Sequence, residues 1–478
     1  MQPNYLLPKE IWQLILEYCN FLTRIRLIQV CKYFNKYLVI DDFHNIPLEF
    51  KIRLNDDILK NYPKIKYLDT TSVAHKITKV KHFTNLVKLN AAKNSHIDDV
   101  EIQNLDLLEL NALYNPKITK INHMVNLTKL DACGTCGINN DAISQLNLRE
   151  LYAYDNRTII NVNHMTNLTK LNACGSCGID DSGISKLNLI EFHAYYNPKI
   201  SNVNHMVNLT KLDCSFVCGV DDSGISQFNL MELNVSCNTK ITNLNHMTNL
   251  TKLEARGCCG IDDYSISQLN LKEMDAYANP RIKNLNHMTN LAKLDAGHCS
   301  SEIDDLGIAK LNLIEFQAKD NSKITNINHM TNLTMLEAEF NCGIGDSGIA
   351  KLNLKHLSAR ENSKIKNVNH MTNLTQLVAN GNCGIDDLGI CQLSLKELEA
   401  NDNHKITNVN LITNLTKLVA TGNCGIDDLG ICQLNLKELI ACHNSKITNV
   451  NHMTNLTKLI ATGNCGIDDL GIRQLTNT

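Results

Sequence analysis

The sequence predicts an α/β solenoid with a long parallel sheet, and two observations support this prediction. Blocks of 41 residues recur from about Lys81 onward, as the spacing of Asn115, Asn156 and Asn197 shows. Each block contains two copies of the pattern Leu-x-x-Leu-x-Ala-x-x-Asn-x-x-Ile, at alternating steps of 20 and 21 residues. A unit this short cannot bury its apolar face alone, so each unit must pack against its neighbours.

Each copy of the pattern begins with a predicted strand. In Leu-x-x-Leu-x-Ala, alternate residues point toward the core. The step length and the trailing asparagine are typical of leucine-rich repeats. Counted from Ile65, the pattern gives about twenty units. With strands ~4.8 Å apart, we expect a horseshoe whose concave sheet runs on the order of 95 Å along its inner arc.

The segments after the strands differ between the two half-repeats. In the segment Gly425–Leu434, Asp427 is expected to cap a short helix whose Ile431 closes the core. The segment Ile447–Met453 has an apolar residue at every third position, which predicts a 3₁₀-like turn.

Asparagines follow the strands in a column, where their amides are expected to satisfy the backbone of each tight turn. In one half-repeat the column is unbroken from Asn115 to Asn444. In the other half-repeat, we expect five asparagines to keep the column and four other residues to replace it: Asn94, Asn341, Asn382, Asn423 and Asn464 against Thr135, Ser176, Val217 and Cys258.

Composition and charge narrow the class of protein. The formal net charge of -3 and the pI near 6.6 give no general attraction to nucleic acid. No apolar run is long enough to span a membrane, and Met1–Glu10 lacks the pattern of a secretory signal. We therefore expect a cytoplasmic protein with neither nucleic-acid nor membrane partners.

Many of the 19 cysteines occupy one register of the repeat. The register comprises Cys136, Cys177, Cys218, Cys259, Cys342, Cys383, Cys424 and Cys465. Equivalent positions lie two strands apart, about 10 Å, which exceeds the roughly 7 Å Cα limit for a disulfide and the reach of a shared zinc. The pairs Cys133/Cys136 and Cys174/Cys177 supply only two ligands each. We expect reduced structural thiols, no metal and no cofactor.

Two further columns are expected to be structural. The histidine column is assigned to turns: His82, His123, His164, His205, His246, His287, His329, His370 and His452. Pairs such as Asp427/Asp428 are assigned to helix caps, because calcium needs six or more converging oxygens. No phosphate loop, zinc-protease helix or nucleophile elbow is present, so we do not expect an enzyme.

The N-terminal region breaks the repeat. The runs Leu6–Cys19 and Thr23–Tyr37 have apolar residues at helical spacing. Near the beginning of the first run, Pro8 is suited to the start of a helix. We predict a helical domain at residues 5–42, a linker or N-terminal cap at 43–64, and repeats at 65–478.

This N-terminal region resembles the F-box, the module that docks onto the Skp adaptor of cullin-RING ubiquitin ligases. The resemblance lies in Leu7-Pro8-x-Glu10-Ile11, Ile15-Leu16 and Leu27-x-x-Val30-Cys31-Lys32-x-Phe34. Phe34 stands where tryptophan is more usual. The resemblance implies that Leu7, Pro8 and Ile11 face the adaptor. It also implies that the remaining residues of the adaptor-binding set shape the domain: Ile15, Leu16, Val30 and Phe34.

An F-box followed by leucine-rich repeats is the organisation of ligase substrate receptors, which reach a cullin through the adaptor. The regular repeats also resemble F-box and repeat proteins of giant DNA viruses, which implies a host ligase and the host cytoplasm. Two function classes remain open: a substrate receptor, and a cytosolic binding or inhibitory scaffold with no ligase link.

Target-binding residues are expected where the concave strands vary. One exposed row alternates Lys129, Glu150, Lys170 and Glu191, and it should neutralise itself. The candidate target-binding residues are Tyr152, Tyr154, His193, Tyr195, Arg256 and Tyr277. The alternative is that these rings only stack on one another and stiffen the sheet. The rival surface, for a target or a dimer, is aliphatic: Val378, Val419, Ile440 and Ile460.

Overall fold

The structure, a computed structural model, describes residues 7–44 and 46–475. Contacts divide the chain into two units, Met1–Phe228 and Asn229–Thr478. Residues 5 and 6 of the predicted helical domain, and residues 476–478 of the predicted repeats, lie outside the described residues.

Three helices open the first unit: α1 (Lys9–Tyr18), α2 (Phe21–Gln29) and α3 (Lys32–Tyr37). The sequence predicted the last two as one run, and this was wrong. At Cys31 the backbone is extended, and the thiol accepts a hydrogen bond from the Phe34 amide at 3.4 Å. This side-chain cap starts a new helix where the earlier one ends.

The three helices enclose a small core. Leu16 is only 1% exposed, and the rings of Trp12 and Phe34 pack with centroids 4.8 Å apart. The Gln13 amide donates to the carbonyl oxygen of Val39 at 3.0 Å and accepts from its amide at 2.8 Å. The helices are thereby fixed to the chain that leads into the first strand.

The segment expected as a linker or cap is folded onto the repeats. Strand β1 (Asp42–Phe43) pairs in parallel with β2 (Tyr67–Asp69), and two single-turn helices lie between them, α4 (Leu48–Lys51) and α5 (Asp56–Leu59). Phe43 is buried against Phe21 and Tyr62, with ring centroids 5.6 and 5.0 Å away. The helical domain therefore packs directly against the first turn of the solenoid.

The rest of the first unit is a stack of short parallel strands in register. They are β3 (Lys88–Asn90), β4 (Glu109–Asn111), β5 (Lys129–Asp131), β6 (Glu150–Tyr152), β7 (Lys170–Asn172), β8 (Glu191–His193) and β9 (Lys211–Asp213). Alternate strands are followed by one helical turn: α6 (Asp99–Ile102), α7 (Asn140–Ile143), α8 (Asp181–Ile184) and the 3₁₀ turn Ser223–Ile225.

The second unit repeats this arrangement. Its strands are β10 (Glu232–Asn234), β11 (Lys252–Glu254), β12 (Glu273–Asp275), β13 (Lys293–Asp295), β14 (Glu315–Gln317), β15 (Met335–Glu337), β16 (His356–Ser358), β17 (Gln376–Val378), β18 (Glu397–Glu399), β19 (Lys417–Val419), β20 (Glu438–Ile440) and β21 (Lys458–Ile460). Its helical turns are the 3₁₀ turn Tyr264–Ile266, then α9 (Asp346–Ile349), α10 (Asp387–Ile390) and α11 (Asp428–Ile431).

The turn chemistry confirms much of the sequence prediction. Asp427 caps α11 by accepting from the Gly430 amide at 2.9 Å. In the other half-repeat, the Met453 amide donates to the Val450 carbonyl at 3.0 Å, the i to i+3 bond of a 3₁₀-like turn. Buried Asn156 donates to the carbonyls of Ala132 and Ile138 and accepts from the Thr158 amide, as predicted for its column.

The second asparagine column was predicted wrongly. Asn94 is buried, but the later members Asn341, Asn382, Asn423 and Asn464 are exposed. Their half-repeat has one more residue in the turn, so the following cysteine takes the inner position. Cys136 and Cys259 donate from Sγ to the carbonyls of Ala132 and Ala255 at 3.1 and 3.3 Å.

None of the helices in the described part of the chain has both the length and the apolar character needed to cross a bilayer.

Candidate functional site

An apolar face lies on the outside of the N-terminal helices. Its large exposed residues, here called the F-box face, are Leu7, Ile11, Leu14, Ile15, Tyr18 and Val30. Ile11 is 41% exposed and Val30 is 68% exposed, although both are aliphatic. An apolar cluster of this kind on a small domain marks a protein-protein contact.

The residues predicted to bind an adaptor divide into two groups. Leu7, Pro8, Ile11 and Ile15 are exposed, whereas Leu16 and Phe34 are buried and hold the helices together. Val30 was expected to shape the domain, but it points outward because it lies at the end of α2, where no helix covers it.

Sequence reasoning did not assign Leu14 or Tyr18 to this face. Both are exposed on α1, three and seven residues after Ile11. Helical spacing was the signal that could have found them, since positions three, four and seven residues apart share a face.

The charge ladder along the strands is present as predicted. Lys129 lies 3.2 Å from Glu150, and Lys170 lies 3.1 Å from Glu191. Tyr152 belongs to this ladder: both lysine ammonium groups lie within 6 Å of its ring, at 5.5 and 5.8 Å, and its hydroxyl donates to Glu150 at 3.1 Å. The ring is therefore already in contact with the protein's own charges.

His193 is held in the same way. Its Nε2 lies 2.6 Å from Glu191, and its Nδ1 lies 3.9 Å from Asp213. Burial lowers the pKa of His193, but hydrogen bonds to these two carboxylates outweigh that effect and raise the pKa above 6.5. The imidazolium form is thus favoured as part of the ladder.

Tyr154 and Tyr195 come together although one strand separates theirs. Their ring centroids are 5.9 Å apart. The intervening turn carries Gly175, with a φ of +67°, and a Cβ there would lie 3.1 Å from the Tyr154 ring and 2.3 Å from Asp155. The missing side chain lets the two rings meet. Burial, more than any nearby charge, raises the pKa of Tyr195 to about 12.

Two more aromatic residues continue this row, and the sequence analysis did not predict them. Tyr196 lies 6.1 Å from Tyr195 and stacks on Phe216 at 4.4 Å, with the ring planes 12° apart. Both have left-handed φ values of 57°, which direct their side chains past the end of the strand. Both residues stand two positions after the recurring buried alanine or cysteine, and this shared position was the signal in the sequence that could have found them. We name Tyr154, Tyr195, Tyr196 and Phe216 the aromatic strip.

The last two predicted target residues belong to the second unit. Arg256 donates from Nε to Asp275 at 2.6 Å, and Tyr277 packs against His298 with ring centroids 5.3 Å apart. Next to them, burial raises the pKa of Asp295 to about 6, and Asp275 on the adjacent strand adds to the shift. A buried carboxyl beside another carboxylate is costly to ionise.

The rival aliphatic surface is shorter than predicted. Val419, Ile440 and Ile460 lie side by side on β19, β20 and β21, but Val419 is buried, at 8% exposed, so its predicted place on the surface was wrong. Val378 is separated from them, because Glu399 on β18 stands between it and Val419.

The thiol and histidine columns line turns. Burial raises the pKa of Cys177, Cys342 and Cys424 to about 11 each, so the thiol form persists at neutral pH. The Nε2 of His164 lies 3.0 Å from the Ile143 carbonyl, and His370 repeats this contact with Ile349 at 3.1 Å. In the described residues, no three histidine, cysteine or acidic side chains converge as a metal site would require.

Comparison with known families identifies the N-terminal helices. Residues 5–45 match the F-box domain. No curated protein matches the sequence significantly. The comparisons do not support the resemblance to proteins of giant DNA viruses.

Three solved structures align with most of the chain. A crystal structure of the TLR13–ssRNA13 complex is 16% identical, with 84% of this chain and 68% of that chain covered and a TM-score of 0.42. An internalin, inlF, from Listeria monocytogenes is 16% identical, with 80% and 88% covered and a TM-score of 0.26. The functional domain of InlJ from Listeria monocytogenes is 20% identical, with 80% and 69% covered and a TM-score of 0.24.

The helices at the N terminus and the recurring strand, turn and asparagine geometry lead to one description. The chain carries an F-box domain at residues 5–45, followed by a parallel-sheet solenoid whose turns resemble leucine-rich repeats.

Proposed function

We propose that this chain is the substrate-recognition subunit of an SCF-type E3 ubiquitin ligase. The F-box domain docks onto a Skp-type adaptor and, through it, a cullin, while the repeats bind the target protein. The chain itself has no catalytic role in this proposal, because ubiquitin transfer is carried out by the other subunits. The cytoplasm is its proposed location.

The F-box face is the observation that supports this proposal best. Six large apolar side chains stay exposed, four of them on α1, with Leu7 before that helix and Val30 just after α2, while Leu16 and Phe34 fill the interior. Burying an exposed aliphatic side chain in an interface contributes about 1.5–3 kcal/mol. Leu7, Pro8, Ile11 and Ile15 are the proposed adaptor contacts, joined by Val30. Leu16 and Phe34 contribute by positioning the helices.

The attachment of the F-box domain to the repeats also supports a receptor. Within the first unit, Lys66 on the repeat side lies 2.9 Å from Asp41, and Arg24 of α2 lies 4.0 Å from Asp42. Together with the β1–β2 pairing, these contacts fix the helices on the first turn. A receptor needs such a connection, since it must present its target at a defined distance from the adaptor.

Direct binding between the purified full-length chain and a purified Skp-type adaptor tests the proposal. We expect Ile11→Ala combined with Val30→Ala to weaken binding by at least about tenfold, because each buried anchor commonly contributes more than 1 kcal/mol. Leu48→Ala is the matched control, because Leu48 is equally apolar and exposed but lies outside the F-box face. Its affinity should equal that of the wild type.

The opposite outcomes are informative. If the wild type does not bind the adaptor, or if the double variant binds as well as the control, the receptor proposal fails. The chain would then be a leucine-rich-repeat binding or inhibitory scaffold without a ligase link.

A further inference from the structure

The aromatic strip differs from three other tyrosines of the repeats in the first unit, Tyr67, Tyr114 and Tyr152, in what lies over its rings. Lysine ammonium groups of the chain lie over the rings of Tyr67, Tyr114 and Tyr152, at 5.6, 5.8 and 5.5 Å. In the strip, the aromatic rings contact one another instead. Tyrosine faces attract cations, and the chain itself satisfies that attraction at the first three rings.

Carboxylates lie beside the aromatic strip. Asp155 follows Tyr154 and accepts from the Ser176 amide at 2.8 Å. Asp213, at the end of β9, accepts from the Ser215 hydroxyl at 2.6 Å and lies 3.9 Å from Nδ1 of His193. The charge of Asp155 raises the pKa of Tyr154, and that of Asp213 adds to the rise in the pKa of Tyr195 that burial causes. Each strand from β5 to β9 is followed by a buried alanine or cysteine. The residue before this buried position and the two residues after it form the edge of the sheet at the strip. Over the five strands, these positions hold three aspartates, one histidine and no lysine or arginine. The aspartates are Asp131, Asp155 and Asp213. The charge at this edge of the sheet is therefore suited to a cationic ligand.

The shape of the strip indicates an extended ligand. The rings follow one another from the end of β6 to the end of β9, and neighbouring strands lie ~4.8 Å apart. The three steps from β6 to β9 span ~14 Å, which corresponds to roughly four residues of extended chain. At its far end, Phe216 is followed by Val217, which is 65% exposed, and Tyr196 is 47% exposed. This end offers an apolar contact next to the aromatic one.

We propose that the aromatic strip binds an extended segment of the target protein that carries lysine or arginine flanked by apolar residues. The cationic side chain lies over Tyr154 and Tyr195 between Asp155 and Asp213, and the apolar neighbour contacts Phe216 and Val217. This assignment rests on the proposed function, because it specifies the target that the repeats present.

Peptide binding to the full-length chain tests this assignment. The probe is an array of nine-residue peptides that contain one or two arginines among glycine, proline and valine, with a matched array in which citrulline replaces each arginine. Citrulline keeps the shape of arginine but is neutral. We expect arginine peptides to bind about tenfold more tightly than their citrulline counterparts, and more tightly at low than at high salt.

Variants locate the binding site. Tyr195→Ala with Tyr196→Ala should abolish selective binding, whereas Tyr195→Phe should retain it, because the ring face and not the hydroxyl attracts the cation. Asp155→Asn should weaken arginine binding several-fold and keep the hydrogen bond that Asp155 accepts from the Ser176 amide. Tyr264→Ala is the control, because Tyr264 is exposed on a helical turn of the second unit.

Equal binding of arginine and citrulline peptides would overturn the assignment, and so would normal binding by the double alanine variant. Loss of binding by the Tyr264→Ala control would also overturn it, because the site would then lie elsewhere. Adaptor binding is measured separately, so peptide failure with intact adaptor binding refutes only this assignment. Peptide success without adaptor binding refutes only the ligase role.

Discussion

In helix α1, Ile11, Leu14 and Ile15 are exposed, whereas the leucines and isoleucines of the repeat pattern, such as Leu151 and Ile159, are fully buried. Both regions are built from aliphatic residues at regular spacing. A solenoid turn buries its apolar residues against the turns on either side. The F-box domain has only three short helices and the first turn of the solenoid to pack against, so several of its large apolar side chains stay outside. The difference shows that regular apolar spacing predicts burial only where the neighbouring elements are known.

Two adjacent residues in α1, one buried and one exposed, give the largest expected difference in the free energy of unfolding. Leu16→Ala should lower the free energy of unfolding of the F-box domain by about 2–5 kcal/mol, because Leu16 is buried. Ile15→Ala should change it by no more than about 0.5 kcal/mol. Trp12 is the single tryptophan of the chain and packs on Phe34, so its fluorescence during urea unfolding measures this domain alone. Equal effects of the two substitutions would contradict the assignment of inner and outer faces.

The repeats allow the same comparison with asparagines. Asn156→Ala removes hydrogen bonds to two buried carbonyls, and should cost about 2–3 kcal/mol. Asn341→Ala should have almost no effect, because Asn341 is exposed and the inner position belongs to Cys342. Thermal unfolding followed by circular dichroism measures both. A large loss for Asn341→Ala would restore the asparagine column that the sequence predicted.

A half-buried carboxyl in the second unit, Asp295, gives the smallest expected effect. The pKa of Asp295 is about 6 in the fold against an ordinary value of 3.8, so its contribution to stability is present below pH 3.8 and is lost as the pH rises through 6. Asp295→Asn avoids this loss and should stabilise the protein by about 1–3 kcal/mol at pH 7. Below about pH 4 the variant and the wild type should unfold alike. A variant that is less stable than the wild type at pH 7 would contradict the burial of this carboxyl.

The sequence predicted most of the fold, because the pattern repeats and each copy reinforces the assignment of the others. Strand positions, the Asp427 cap and the Asn156 column follow from spacing and hydrogen-bonding capacity alone. The buried position in the turn of the longer half-repeat could not be predicted in this way. One added residue makes Cys342 the buried residue instead of Asn341, and the pattern does not show which of the two turns inward.

The candidate sites were less predictable. Tyr154 and Tyr195 were found because they interrupt a regular column. Tyr196 and Phe216 depend on a left-handed backbone, a conformation that favours glycine and that spacing does not predict. Tyr152 and His193 were assigned to target binding, yet in the structure they contact the charge ladder. Whether a side chain faces a ligand or its own neighbours depends on rotamers and on cross-strand distances, which spacing does not determine.

The central claim is that the exposed apolar residues of α1, together with Leu7 before it and Val30 after α2, form a docking face separate from the repeats. Hydrogen exchange of the full-length chain, with and without a Skp-type adaptor, tests it most directly. We expect slower exchange in α1 and α2 when the adaptor is bound, and unchanged exchange in the strands of the repeats. Protection in the repeats with none in α1 and α2, or no protection anywhere at saturating adaptor, would contradict it.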